Sequence, residues 1–260
     1  MKLYFRGVVV ALFFLFSGSI FSENQDGWHL STFMGGSMSL PNRLKIDFAD
    51  LPDQSINTHI DNKSFSDSHW WICRLEDWHG EDGQGFELIH HKVYLANTTD
   101  LVQHFGVCDG YNLLYYNFGK RFGEDRFRFG LGLAFPHPNI KIAGRETFFK
   151  EGLAGKYLGG PTFQLDYEHV MWDNDLYFVS MDTKLTLSYI RIPVSNNRKE
   201  YADVPDIAIH FGFGFGSKPK AFNQEGLGKA LYFAPLVYPY LTGTYVLGTG
   251  LVPAGSHEEE

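Results

Sequence analysis

Apolar and polar residues alternate with a period of two in segment after segment of this chain. The 3.6-residue period of an amphipathic helix is nearly absent. The clearest case is RFRFGLGLAF: Phe127, Phe129, Leu131, Leu133 and Phe135 alternate with Arg126, Arg128, Gly130, Gly132 and Ala134. Successive strand residues point to opposite faces, so one face is wholly apolar and the other carries only charge or small residues. Residues 162–171 set Phe163, Leu165, Tyr167, His169 and Met171 against Thr162, Gln164, Asp166, Glu168 and Val170. In 177–189, Tyr177, Val179, Met181, Leu185, Leu187 and Tyr189 oppose Phe178, Asp182, Lys184, Thr186 and Ser188. In IAIHFGFGFG (207–216), Ile207, Ile209, Phe211, Phe213 and Phe215 face away from Ala208, His210 and glycines.

The first half carries the same signal less cleanly. Trp28, Leu30, Thr32, Met34 and Met38 share a face, and QSINTHID (54–61) alternates around Ile56, Thr58 and Ile60. In 69–78, Trp71, Cys73 and Leu75 oppose Ile72, Arg74 and Glu76. Residues 84–95 form a strand of ambiguous facing, and 101–119 a long strand with a bulge expected near Asp109-Gly110. That makes about nine strand candidates of roughly 10–18 residues, longer than the usual soluble strand of ~5–6. Turn residues separate them at 80–85, 97–100, 123–125 and 172–175, with longer loops expected at 40–53, 139–160 and 194–204. His137, between Pro136 and Pro138, is expected at a rim where its strand ends.

Long amphipathic strands fit two closed architectures. A soluble barrel such as a lipocalin turns its apolar face inward around a ligand, whereas a membrane barrel turns it toward lipid. The polar face carries His59, Arg74, Glu76, Arg126, Arg128, Asp166, Glu168, Asp182, Lys184 and His210, of both signs and mixed with glycine. Glycine leaves room for long charged side chains in a narrow lumen. Trp28, Trp78, Tyr94, Tyr167, Trp172 and Tyr177 stand near strand ends, where aromatic girdles would lie. The expected fold is all-β: a closed antiparallel up-and-down transmembrane β-barrel. Such barrels have even strand counts. Eight follows if one candidate is not a wall strand, and ten if 230–247 adds one, against which Pro235 and Pro239 argue.

The ends sharpen the class. Lys2 and Arg6 precede the apolar run Val8–Phe16 and the small residues Ser17, Gly18 and Ser19, the pattern of a secretory signal peptide over residues 1–22. The barrel then occupies 23–217, followed by a tail or additional strand at 218–250 and a stretch resembling a tag linker at 251–260. The 24 Phe, 14 Tyr and 28 Gly in 260 residues, with a mean hydropathy of −0.20, fit two-faced strands. A net charge of −8 and the lack of a basic stripe argue against a nucleic-acid partner. Cys73 and Cys108 both fall within strand patterns, which favours two unpaired thiols over a disulfide.

GFELIHHKVYL (85–95), HFGVCDGYNLLYYNFG (104–119) and RFGLGLAFPHPNIKIAGR (128–145) resemble a family of small bacterial outer-membrane β-barrel proteins, and HFGFGFG (210–216) resembles their closing strand. The likeness covers about 28–216 and implies fold and location, with no reaction. The architecture is also generically similar to the OmpW barrel and the lipid A deacylase PagL. The deacylase's His-x-Ser pair has one literal counterpart, His29-Leu30-Ser31, in surroundings that do not match.

For chemistry, the densest cluster is Arg74 and Glu76 with Glu87, His90, His91, Lys92 and Asp109. One reading makes His90 or His91 a general base oriented by Glu87 or Asp109 and acting on a lipid acyl ester, since an imidazole titrates near neutral pH. The other is an ion-pair network that fills the lumen, built from Arg74, Glu76, Arg126, Arg128, Asp166, Glu168, Asp182 and Lys184. Consecutive histidines point to opposite faces, so only one of the pair enters the lumen unless a bulge intervenes. His137 and Arg145 are candidates for a lipid headgroup at the rim. No residue set has metal-ligand spacing, and no cofactor is expected. The favoured function is an outer-membrane barrel with a structural, interaction or small apolar-ligand passage role. A lipid-modifying hydrolase is second and a secreted soluble barrel third. The expected partners are outer-membrane lipid and a small hydrophobic ligand.

Overall fold

A computed structural model describes residues 25–65, 69–148, 158–195 and 199–237. The leader at 1–22 and the linker at 251–260 lie outside the described residues. Among the described residues twelve strands form: β1 (Gly27–Ser39), β2 (Arg43–Asp47), β3 (Gln54–Asn57), β4 (Ile60–Asp61), β5 (Trp71–His79) and β6 (Asp82–Leu95). They continue as β7 (Val102–Phe122), β8 (Asp125–Ile142), β9 (Arg145–Phe148), β10 (Gly160–Asp173), β11 (Tyr177–Pro193) and β12 (Tyr201–Ser217). The ring runs β1-β5-β6-β7-β8-β10-β11-β12 and closes where β12 pairs antiparallel with β1, Ser31 opposite Gly216 and Ser39 opposite Ala208. Eight strands therefore make the barrel. The candidate at 54–61 is not one of them: it breaks into β3 and β4.

The three short turns, at 80–81, 123–124 and 174–176, share one end with Gly27 and Ser217, where the wall begins and ends. Gly80 and Gly123 adopt positive φ in two-residue turns (+58° and +60°), a conformation that costs glycine little. At the opposite end the wall grows taller. β2 follows β1 along β12, pairing Asp47 with Tyr201, and β3 pairs with β2. There β4 lies on β6 and β9 on β8. These pieces fill stretches expected to be loops at 40–53 and 139–160, and β12 already starts at Tyr201.

β8 runs through Pro136 and Pro138 to Ile142, so His137 does not mark its end. The prolines are tolerated because β10 stops pairing at Ala134 and β7 bulges opposite them, its register jumping between Val107 and Tyr111. A proline ring without an N–H costs little where no ladder bond is due. The bulge falls on 108–110, as the sequence pattern predicts.

The facing is the reverse of a soluble barrel. Phe127, Phe129, Leu131 and Leu133 are 48%, 38%, 54% and 45% exposed on the outside, and Phe86, Phe118, Phe211 and Phe213 continue the belt around the wall. Trp78 departs from the expected girdle. It shares the parity of Arg74 and Glu76, points inward and is fully buried. His59, exposed between β3 and β4, is likewise not in the lumen.

Above the belt the polarity switches. Arg43, Lys45, Asp47 and Arg191 face outward and are exposed. The interior becomes an apolar core of Leu44, Ile46, Ile56, Val93, Leu95, Phe105, Ile140, Ile190, Ile192 and Val204. The barrel thus has two storeys, apolar outside below and apolar inside above.

Beyond β12 the chain turns helical, as α1 (Pro219–Phe222), α2 (Leu227–Tyr232) and a 3-10 turn (Ala234–Leu236). The described part of 230–247 therefore adds no strand. Cys73 is a free thiol on the outward face.

Closure depends on glycines as seats for rings. A Cβ at Gly214 would lie 2.3 Å from the Phe33 ring, one at Gly216 2.0 Å from Phe178, and one at Gly212 2.9 Å from Trp70. The closing strand thus carries a socket at every second position, each filled by an aromatic from elsewhere. Gly214→Val should destabilise the barrel by about 1–3 kcal/mol through overpacking. The outward Phe213→Leu change should cost less. Urea unfolding of the refolded protein, followed by heat-modifiable gel migration, checks the difference.

Candidate functional site: a charged lumen and two divergent histidines

Arg74 enters the lumen from β5 and reaches four carboxylates. Its Nε donates to Glu87 Oε2 at 2.5 Å, Nη1 to Glu168 Oε2 at 2.9 Å, and Nη2 to Asp166 Oδ2 and Asp182 Oδ2, each at 2.6 Å. Those partners stand on β6, β10 and β11, so one guanidinium spans the barrel's cross-section. Arg128 forks onto Glu76 (2.5 and 2.8 Å) and also reaches Glu168 at 2.6 Å. Lys184 donates to Glu87 Oε1 at 2.6 Å and lies 3.5 Å from Asp182 Oδ1, while Arg126 stands 3.6 Å from Glu168. All eight residues of the expected lumen network meet here, joined by Glu87.

This layer fills the lumen at its level with buried, paired charge. Four cations face five carboxylates, and each of the nine side chains is at least nine-tenths buried. Near neutrality is what allows such burial, because an unpaired ion inside would cost several kcal/mol. Below it, Trp78 lies within 5.4–5.6 Å of the guanidinium carbons of Arg121, Arg126 and Arg128. At the short-turn end, Lys218 pairs with Asp173. Burial pushes the Lys218 ammonium below its ordinary pKa, and Asp173 opposes that shift.

Above the ions lies a layer of indole, imidazole and hydroxyl groups. Trp70 Nε1 donates to His210 Nδ1 at 3.0 Å, and His210 Nε2 meets Thr186 Oγ1 at 2.8 Å. Tyr111 donates to Ser188 Oγ at 3.0 Å, and the Tyr115 hydroxyl meets Thr162 Oγ1 at 2.6 Å. His91 belongs to this layer: its Nδ1 lies 2.9 Å from Ser37 Oγ and its Nε2 3.1 Å from Asp206 Oδ2. A hydroxyl, an imidazole and a carboxylate are thereby strung in line.

His90 takes the opposite face. It points outward, stacks on Trp71 (centroids 5.5 Å apart, planes at 15°), and places Nδ1 2.9 Å from Asn112 Oδ1. Lys92 follows on the same outward side and is buried too. These polar groups interrupt the apolar belt beside the β7 bulge.

The candidate base cluster is therefore dispersed. Glu87 orients neither histidine, because its oxygens are taken by Arg74 and Lys184. The Asp109 side chain lies outside the described residues. His137 faces outward beside the bulge. Arg145 instead lines a cavity of about 270 Å³ in the upper storey, with Phe48, Ile142, Thr147, Val194 and Glu200. His29 is buried at the lower end, its Nε2 3.0 Å from the Gln25 carbonyl. Ser37 and Asp206 were not among the sequence candidates. Extending the alternation of 207–216 back from Ala208 and His210 puts Asp206 on the lumen face. Nothing local in the sequence joins it to Ser37 and His91.

An eight-stranded antiparallel ring with charge inside and an apolar belt outside defines a transmembrane β-barrel. No protein-family model matches the chain, and neither does any curated protein. Among solved structures, the chain is similar to Ail, the attachment invasion locus protein of Yersinia pestis, at 7% identity and a TM-score of 0.37, over 73% of this chain and 99% of that one. It is similar to the outer membrane protein OprG from Pseudomonas aeruginosa at 13% identity and a TM-score of 0.41, over 74% and 97%. It is also similar to the outer membrane protein AlkL at 9% identity and a TM-score of 0.47, over 77% and 93%. At such values these likenesses transfer no ligand and no role.

Replacing Arg74 with methionine strands four carboxylates around one missing cation. The expected loss is about 3–5 kcal/mol, the cost of breaking a buried pair. Lys120→Met, which removes an exposed partner of Asp82, should leave the urea midpoint unchanged.

Proposed function

We propose that the chain is an integral barrel of the bacterial outer membrane, with a structural and interaction role and no open path through its lumen. The observation that carries this reading is the switch of polarity along the barrel. The lower storey matches lipid outside, and the upper storey has the apolar interior and charged exterior of a protein standing in water. The signal-peptide pattern at the N-terminus supports export. The buried ion layer argues against passage straight through, and the 270 Å³ upper cavity, lined by Asp50, Arg145, Glu146 and Glu200 beside Phe48 and Ile142, is a poor fit for an apolar ligand. Envelope fractionation should find the protein with the outer membrane. In planar bilayers the pure protein should give no unit conductance steps. Stable single-channel steps would overturn the closed-lumen reading, and recovery in the soluble periplasmic fraction would overturn the membrane reading.

A second reading is favoured by one observation, the Ser37–His91–Asp206 line, and makes the protein a hydrolase of lipid acyl esters. In that chemistry Ser37 Oγ attacks the ester carbonyl while His91 takes its proton and Asp206 stabilises the imidazolium. The proton passes to the departing alkoxide, and water then releases the acyl group as a carboxylic acid. Mass spectrometry of lipid A from cells with and without the protein tests this. An acyl chain lost only when Ser37 and His91 are intact supports it, and identical lipid A species sink it.

A further inference from the structure

The tail beyond β12 folds back on the outside of the barrel. Tyr232 donates from its hydroxyl to the Trp28 carbonyl at 3.0 Å, and Ser217 Oγ donates to the Tyr232 carbonyl at 2.6 Å. Ala221 and Tyr232 pack on Leu30, with Cys73, Leu176 and Tyr177 around them. Leu30 and Thr32 are outward-facing residues of β1, yet both are buried, unlike Met34 and Met38 further up the same face. The tail has taken the place that lipid holds elsewhere along the belt, at its short-turn edge.

The same tail leaves its other side apolar and uncovered. Phe222, Leu231, Phe233, Leu236 and Val237 are 37–55% exposed within a segment of sixteen residues. Trp28 on β1, whose carbonyl accepts from Tyr232, is exposed as well. Two exposed lysines accompany the segment, Lys229 and Lys220, the latter beside Asp175, whereas Lys218 is buried against Asp173. The Lys229 ammonium sits 4.7 Å from the centre of the Phe222 ring. Apolar rings below and flexible ammonium groups beside them are the features of a segment lying in the plane of a membrane interface. Neither helix is long enough to cross a membrane.

From this geometry we infer that residues 219–237 form an interfacial collar. Its apolar side is seated in the phospholipid leaflet at the short-turn end of the barrel, and its lysines lie level with the phosphates. The belt and the collar then form one continuous lipid-contacting surface, which is why the occupant is lipid rather than a second protein. The inference rests on the membrane reading above and goes beyond it by giving the tail a partner.

Site-directed nitroxides test it on the full chain, with Cys73→Ala and Cys108→Ala as background, refolded into phosphatidylcholine vesicles containing phosphatidylglycerol. Labels are placed singly at Leu231 and Val237 in the collar, at Leu131 in the belt and at Glu81 in a turn. Collar labels should be accessible to oxygen and protected from a nickel chelate, at a depth between Leu131 and Glu81. Leu231→Glu combined with Leu236→Glu should raise chelate access at Val237 several-fold while the barrel keeps its heat-modifiable migration. If Leu131 is lipid-buried but Leu231 and Val237 are as open to the chelate as Glu81, the collar is overturned and the membrane reading stands. Shielding from both oxygen and chelate would mean protein covers the face, and would equally overturn it. A chelate-open Leu131 would remove the membrane reading and the collar together.

Discussion

The guanidinium of Arg74 is the interaction on which the rest of the barrel depends. An eight-stranded barrel is just wide enough for side chains from opposite walls to meet. Here the group that meets them all is a planar cation with donors pointing in several directions. Its four carboxylate partners come from strands on both sides of the ring, so the network sets the distance between walls as well as neutralising charge. The requirement is mutual. Five carboxylates can be buried only because four cations are interleaved with them, and the rings packed around that layer fit because Gly83 and Gly119 seat Trp78 and the β12 glycines seat Trp70, Phe33 and Phe178.

That constraint also explains the vertical order of the lumen. Ions occupy the level where the outside is lipid, and hydroxyls, histidines and tyrosines form the next layer. Aliphatic side chains fill the storey whose outer surface is charged. Each level places inside what the outside cannot supply. A strand such as β11 therefore changes facing rule along its length: Leu185 and Leu187 point outward below, while Ile190 and Ile192 point inward above. A mean hydropathy of −0.20 averages two opposite patterns, and so says little about either storey.

Most of the wall was legible in the sequence, because period-two alternation reports directly on facing. The row Phe127 to Leu133, the lumen charges, the closing β12 strand and the bulge in β7 all follow from it. What the pattern missed depended on contacts distant in sequence. The position of Trp78 near a strand end suggests a girdle residue, but its parity with Arg74 and Glu76 outranks position. Pro136 and Pro138 suggest a strand end in the sequence, but a proline's cost depends on whether a neighbour expects its N–H, and that neighbour is a bulge on β7. The pairing of His91 with Ser37 and Asp206 joins three strands brought together only by ring closure between β12 and β1.

The two histidines show how one local feature separates structure from chemistry. Alternation sends His91 inward and both His90 and Lys92 outward, and the extra residues that break the register opposite them lie on β7. His91 is then held among the lumen's satisfied donors and acceptors, where an imidazole has a structural reason to exist whether or not it reacts. His90 has no such reason: a polar group on the face that otherwise meets lipid is expensive. It is stabilised instead by Trp71 over its ring and by the Asn112 side chain, which itself reaches the Phe135 carbonyl at 3.4 Å. A barrel selected only for stability would carry an aliphatic residue there, as Leu88 and Leu114 do in the same belt. The outward polar cluster therefore departs furthest from what the fold alone requires.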